Sequence, residues 1–179
     1  IVNSTFSGNI ARNGLGGAMN LQGTAPLLLQ NLTIAGNRAP CGVCFAGGIA
    51  NAAGRPITLR NTVFFDNTGG NAFNPWTLLN PVQGGSNNIQ FPLVRPGSFG
   101  QQELPVTPGA VFADALLAAL ADNGGPTRTM ALQTGSPAID AGTLTGAPAT
   151  DQRGLPRVGA VDIGAFEMQG GGLFANGFE

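Results

Sequence analysis

Apolar residues over the first 90 positions fall in short bursts cut by Gly, Asn and Pro. Ala18-Met-Asn-Leu21, Leu27-Leu-Leu-Gln30 and Leu32-Thr-Ile-Ala35 are typical. Bursts of four to six residues with β-branched and large apolar side chains predict short strands, and the intervening residues predict turns. No stretch before residue 90 leaves room for a helix of ordinary length. The bursts also recur. Asn3-Ser-Thr-Phe-Ser-Gly-Asn9, Asn31-Leu-Thr-Ile-Ala-Gly-Asn37 and Asn61-Thr-Val-Phe-Phe-Asp-Asn67 start at intervals of 28 and 30 residues. Gly16-Gly-Ala-Met-Asn20 returns 31 residues later as Gly47-Gly-Ile-Ala-Asn51, and Pro26-Leu-Leu-Leu-Gln30 returns 30 residues later as Pro56-Ile-Thr-Leu-Arg60. Three matches in a fixed order define a repeat of about 30 residues.

A unit of this length with two or three strands predicts one coil of an all-β, right-handed parallel β-helix. Each strand pairs with its equivalent in the next coil, about 4.8 Å away. Inward positions must then stack on themselves. Phe6, Ile34 and Phe64 form one expected column, and Leu29 and Leu59 another. Asn tolerates left-handed backbone and can bond amide to amide between copies. Asn9, Asn37 and Asn67 form one expected ladder, and Asn3, Asn31 and Asn61 a second. Asn3-Ser-Thr and Asn31-Leu-Thr also fit the glycosylation pattern, but ladder positions account for them. The loop between these elements and Gly-Gly lengthens from Ile10–Leu15 to Arg38–Ala46, as a solvent-facing turn allows.

Farther along, Ala113, Leu116, Leu117 and Leu120 mark an apolar stripe at helical spacing. The stripe predicts one short helix over Ala110–Asp122, stopped by Asn123-Gly124 and covering the last coil, whose strand edges need a cap. Three regions follow: coils over residues 1–95, a last coil and capping region over 96–168, and a Gly-rich hinge with a tail over 169–179.

Composition narrows the chemistry. Hydrophobic residues make up 42% of the 179 positions, enough for a core, while charged residues make up only 9%. A net charge of −1 gives no basic field to draw nucleic acid. No apolar run reaches the roughly 20 residues of a membrane span. The chain contains no His, Lys or Tyr. Ser-His-Asp and Cys-His arrangements are therefore excluded within it, and the usual lyase bases are missing. Before Glu103 the only acid is Asp66, too few for a paired-carboxylate glycosidase or a calcium cage.

The remaining acids lie mostly in the capping region, with Arg128, Arg153 and Arg157 among them. Asp140, Asp151, Arg153, Asp162 and Glu167 read as a structural network tying loops together, with a calcium or sugar site as the functional alternative. Trp76 reads as a packing residue. Cys41 and Cys44 form a lone C-x-x-C in a Gly/Pro loop. Two ligands do not complete a zinc site, so a loop-pinning disulfide in an oxidising compartment is the simpler reading.

Gly16-Gly-Ala-Met-Asn20, Phe6-Ser-Gly-Asn9 and Phe64-Phe-Asp-Asn67 resemble the repeats of polymorphic outer-membrane proteins, with Ile34 in place of a Phe and Gly47-Gly-Ile-Ala50 reordered. Leu120-Ala-Asp-Asn-Gly-Gly-Pro-Thr-Arg-Thr-Met-Ala-Leu132, Gly135-Ser-Pro-Ala-Ile-Asp-Ala-Gly142, Thr150-Asp-Gln-Arg-Gly-Leu-Pro-Arg157 and Asp162-Ile-Gly-Ala-Phe-Glu167 resemble, in that order, the choice-of-anchor Q domain that ends large secreted bacterial β-helix proteins. The resemblance spans about residues 110–168. It implies secretion to the extracellular medium or the bacterial outer surface, a β-helix upstream, and no defined enzymatic activity.

Ile1 opens directly into a strand-like run, which reads as a processing boundary with a signal peptide and further repeats upstream. After a hinge at Gly170-Gly-Gly172, the tail with Phe174, Gly177, Phe178 and Glu179 resembles endings of secreted bacterial proteins and reads as a sorting signal. Three functions fit the sequence. The first is a non-catalytic structural or adhesive module meeting glycans or cell surfaces. The second is the end of a polysaccharide lyase or hydrolase whose active site lies upstream. The third is a fibre subunit that self-associates through β-helix ends.

Overall fold

The computed structural model describes residues 1–73, 75–80, 82, 84–94 and 98–170. It is all-β: twelve strands and no helix among the described residues. Every pairing between named strands is parallel. The chain winds through about three coils of a parallel β-helix, as the repeat predicts.

Three sheets form its faces. The longest contains β1 (Val2–Ser7), β3 (Leu27–Ala35), β6 (Ile57–Arg60), β7 (Val63–Phe65), β10 (Gly84–Ser86), β11 (Ile89–Phe91) and β12 (Val111–Phe112). The second stacks β2 (Met19–Asn20), β5 (Ile49–Ala50) and β9 (Leu78–Leu79), and the third stacks β4 (Arg38–Ala39) and β8 (Thr68–Gly69).

Register follows the sequence repeat. Phe6 pairs with Ile34 and Ile34 with Phe64, while Leu29 pairs with Leu59. Ile34, Phe64, Leu29 and Leu59 belong to the buried core inside the coils, and Phe6 packs against it. The next coil departs from the apolar pattern. Gln90 takes the place below Phe64, and Gly85 the place below Leu59. Gln90 is fully buried, donating to Leu104 O at 3.1 Å and accepting from Val106 N at 2.6 Å. Gly85 is obligatory: a Cβ there would overlap the Leu59 carbonyl, and its φ is 128°. At the Gly-Gly corner, a Cβ on Gly47 would likewise overlap the backbone of Thr68.

The Asn columns differ from each other. Asn9 Nδ2 donates to Asn37 Oδ1 at 2.9 Å, and Asn37 Nδ2 to Asn67 Oδ1 at 2.8 Å, forming an amide ladder with Asn37 and Asn67 fully buried. Asn3, Asn31 and Asn61 hold left-handed φ values of 45°, 52° and 48°, joined by Asn87 at 53° one coil later. These four bend the long strands. Asn61 Nδ2 stands 3.5 Å from Asn31 Oδ1, at the limit of hydrogen bonding. That contact is one rung of the expected second ladder. Its side chains turn outward to the C-terminal segment.

The helix expected over Ala110–Asp122 is absent. Val111–Phe112 is a strand on Ile89–Phe91, Ala118 N donates to Ala131 O at 2.8 Å, and Ala121 and Thr129 exchange backbone bonds at 3.0 Å. Burial follows a period of two, with Ala113, Ala115 and Leu117 in a second apolar cluster while Leu116 and Leu120 are exposed. A single helix of this length is marginal in water. The open edge of β11 offers the segment a template of unpaired backbone groups, and tertiary pairing overrides the local alanine and leucine preference.

Residues 138–168 form a strap on the outer face of the long sheet, running from the last coil back to the first. Asn87 Nδ2 donates to Ala141 O, Asn61 Nδ2 to Thr143 O, Gln30 Nε2 to Thr145 O and Asn3 Nδ2 to Thr150 O. The strap then turns back. Asn31 Nδ2 approaches Asp162 O at 3.4 Å, and Ala165 N donates to Thr33 Oγ1 at 3.1 Å. Beneath it, outward Val63 and Ile89 join Leu132, Ala138, Ile163 and Phe166 in the second cluster. Fully burying each large member is worth roughly 1.5–3 kcal/mol.

Candidate functional site

The strap gathers the buried Asp151, Arg153, Arg157, Asp162 and Glu167 into one clasp. Asp151-Gln-Arg-Gly154 makes a turn in which Asp151 Oδ1 accepts the Arg153 N–H at 2.8 Å, while its backbone O accepts the Gly154 N–H. The Arg153 side chain folds back on the same carboxylate at 2.8 Å. Its guanidinium also donates to Glu167 O and lies 3.7 Å over the Phe166 ring. Asp151 Oδ2 accepts the Glu167 N–H at 3.0 Å, joining the two arms of the strap.

Glu167 is the hub. It accepts Arg157 Nη1 at 2.7 Å, Val158 N at 3.0 Å and Asp162 N at 3.0 Å, and its side chain is fully buried. Arg157 Nη2 reaches Asn3 Oδ1 at 3.0 Å, across 154 positions of sequence, so the ion pair closes on the first coil. Beside it, Thr5 Oγ1 donates to Gln152 Oε1 at 2.6 Å. Asp162 accepts Asp140 N at 2.8 Å and Met168 N at 2.6 Å. Burial raises the Asp162 carboxyl above the ordinary aspartate value. The Met168 and Asp140 N–H groups oppose the rise, and the Glu167 and Asp140 charges add to it.

The expected network of Asp140, Asp151, Arg153, Asp162 and Glu167 thus lies together, with Asp140 entering through its backbone N–H rather than its exposed carboxylate. The receiving side is Asn3, Thr5, Asn31, Thr33 and Asn61. The sequence singles out the three Asn as ladder positions without any sign of these partners, and it does not single out Thr5 or Thr33. Every carboxylate oxygen of Asp151, Asp162 and Glu167 accepts at least one N–H from the chain itself. This arrangement can hold a strap, with each buried anion compensated.

Other candidates sit apart. Cys41 and Cys44 are joined in a disulfide. Asp66 pairs with Arg38 at 2.8 Å on the surface, and Glu103 is buried, accepting Thr77 N. Trp76 is half-buried, and its carbonyl accepts the Gly47 N–H. Among the described residues no group of three or more His, Cys, Asp or Glu could hold a metal ion. No described helix is long and apolar enough to cross a membrane. The expected tail signal at Phe174, Gly177, Phe178 and Glu179 lies outside the described residues. In comparisons with known proteins, no family model matches the chain, and neither a curated protein nor a solved structure matches it.

Proposed function

We propose that this chain is the C-terminal, non-catalytic end of a secreted bacterial surface protein and serves as a structural and adhesive module. The carrying observation is that every carboxylate oxygen of Asp151, Asp162 and Glu167 accepts an N–H of the chain itself, with Arg153 and Arg157 among the donors. Groups engaged in this way act as struts. The resemblance of residues 110–168 to choice-of-anchor regions supports the extracellular placing. The coils present broad, weakly charged faces suited to contact with glycans or cell surfaces.

The test is a polysaccharide panel applied to this chain and to the full-length secreted protein, reading both retention and newly formed chain ends. Retention without new ends is expected. New chain ends from this chain would overturn the reading, and new ends from the full-length protein alone would place an enzyme upstream.

A further inference from the structure

The turn Ser98–Gln101 carries a side chain that folding does not require. Gln101 N donates to Ser98 O at 3.0 Å, and both central residues are left-handed, Phe99 at φ 53° and Gly100 at φ 77°. Turns of this kind take Asn, Asp or Gly first, because a bulky side chain crowds the backbone there. Phe99 has no polar group to bond that backbone and is 73% exposed, so burial does not offset the strain. Its ring lies against that of Phe73, itself 63% exposed, with centroids 5.4 Å apart and planes tilted by 33°.

By sequence interval a third residue falls at the equivalent loop position. The interval from Phe73 to Phe99 equals that between paired Phe64 and Gln90, and stepping back from Phe73 by the Ile34–Phe64 interval reaches Val43. Val43 is 75% exposed. Its loop is closed by the Cys41–Cys44 disulfide and tied to the next coil, where Asn71 N donates to Cys44 O at 3.0 Å. Asn71 Oδ1 in turn accepts Phe73 N at 2.9 Å. One exposed apolar side chain per coil therefore stands on three successive loops.

We propose that Val43, Phe73 and Phe99 form a stacking platform for a neutral glycan laid along the coil axis. This rests on the adhesive reading above and names its partner. No charged residue occurs in 40–46, 70–73 or 98–102, so the ridge selects neither an acidic polysaccharide nor a charged protein. The three side chains offer on the order of 400 Å², about half of the roughly 800 Å² per partner that a stable protein interface buries. Two rung intervals give a length of about 10 Å, room for a short run of sugar rings. Aromatic faces meet the C–H faces of such rings, and the exposed Gln101 and Gln102 amides flank them for hydroxyl groups.

The test is native affinity electrophoresis of the whole chain in gels containing dextran, galactomannan or mixed-linkage β-glucan. Wild type should be retarded by at least one. Phe73→Ala and Phe99→Asn should each weaken that retention tenfold or more. Asn suits the left-handed turn, so F99N should melt no lower than wild type, which separates lost binding from lost folding. Wild type passing all three gels unretarded would overturn the platform. Retention that survives both substitutions would overturn it while leaving the adhesive reading standing. A wild-type dimer in sedimentation that F99N converts to monomer would assign the ridge to a second copy instead.

Discussion

The coils and the strap are drawn from the same weakly charged, glycine-rich sequence, yet they bury themselves by opposite means. The coils repeat one solution. Apolar columns face inward, parallel backbone bonds join equivalent residues, and the Asn9–Asn37–Asn67 ladder seals one corner with neutral amides. The strap repeats nothing. It has little regular strand, and Asp151, Arg153, Arg157, Asp162 and Glu167 hold it instead. Periodic backbone pairing distributes stability over many equal bonds, whereas a clasp concentrates it in a few desolvated charges. Losing one rung bond should therefore cost less than losing one clasp charge.

Glu167→Ala gives the largest expected effect. It strands the Arg157 guanidinium, whose side chain is only 5% exposed, and should cost about 3–5 kcal/mol in chemical denaturation. Replacing both partners with apolar residues of similar volume should recover most of that loss. A double variant as unstable as E167A would mean that the clasp acts through its backbone contacts and not through charge. Hydrogen exchange on E167A sharpens the contrast further. The strap amides should lose protection while the amides of Leu29–Ala35 keep theirs, if the two regions open separately.

Asn37→Ala probes the coil side. It removes a buried ladder rung and leaves Asn67 Oδ1 without its side-chain donor, at an expected cost of about 1–3 kcal/mol. A cost above that of E167A would reverse the comparison.

The smallest effect is a slope. The Asp162 carboxyl is raised in the folded chain, so the folded state holds this proton more tightly than the unfolded state does. From this group alone, stability increases as pH falls from the raised value toward the ordinary aspartate value of about 3.9, and is lost again as pH rises. That contribution opposes the general loss of stability in acid. Asp162→Asn abolishes it, so the variant's stability should fall more steeply over that interval. A shallower fall in acid denaturation curves would contradict the assignment.

Much of the coil architecture was legible because a repeat states its own register. An interval of 28 and then 30 residues is enough to pair Phe6 with Ile34 and Ile34 with Phe64. Legibility ended where the repeat decayed. Nothing in the sequence marks Gln90 as heir to the Phe64 position. The alanine-rich stretch at 110–122 reads as a helix because local preference ignores the unpaired strand beside it. The second Asn column was legible only in part. Its left-handed bends and the Asn31–Asn61 amide contact follow the repeat, but its partners in the strap lie 82 to 147 positions away.

What the sequence determined by itself is the coil: its period, its inward columns and its Asn bends. Each follows from a residue's preference together with the same residue one repeat later. What only the tertiary structure decided is the strap: that it lies along the outer face, that Arg157 meets Asn3, and that an apolar stretch is extended instead of helical. Those outcomes depend on surfaces that exist only after the coils have formed. A strand edge, an outward Val63 and a row of bent Asn side chains have no counterpart in any local window of the chain.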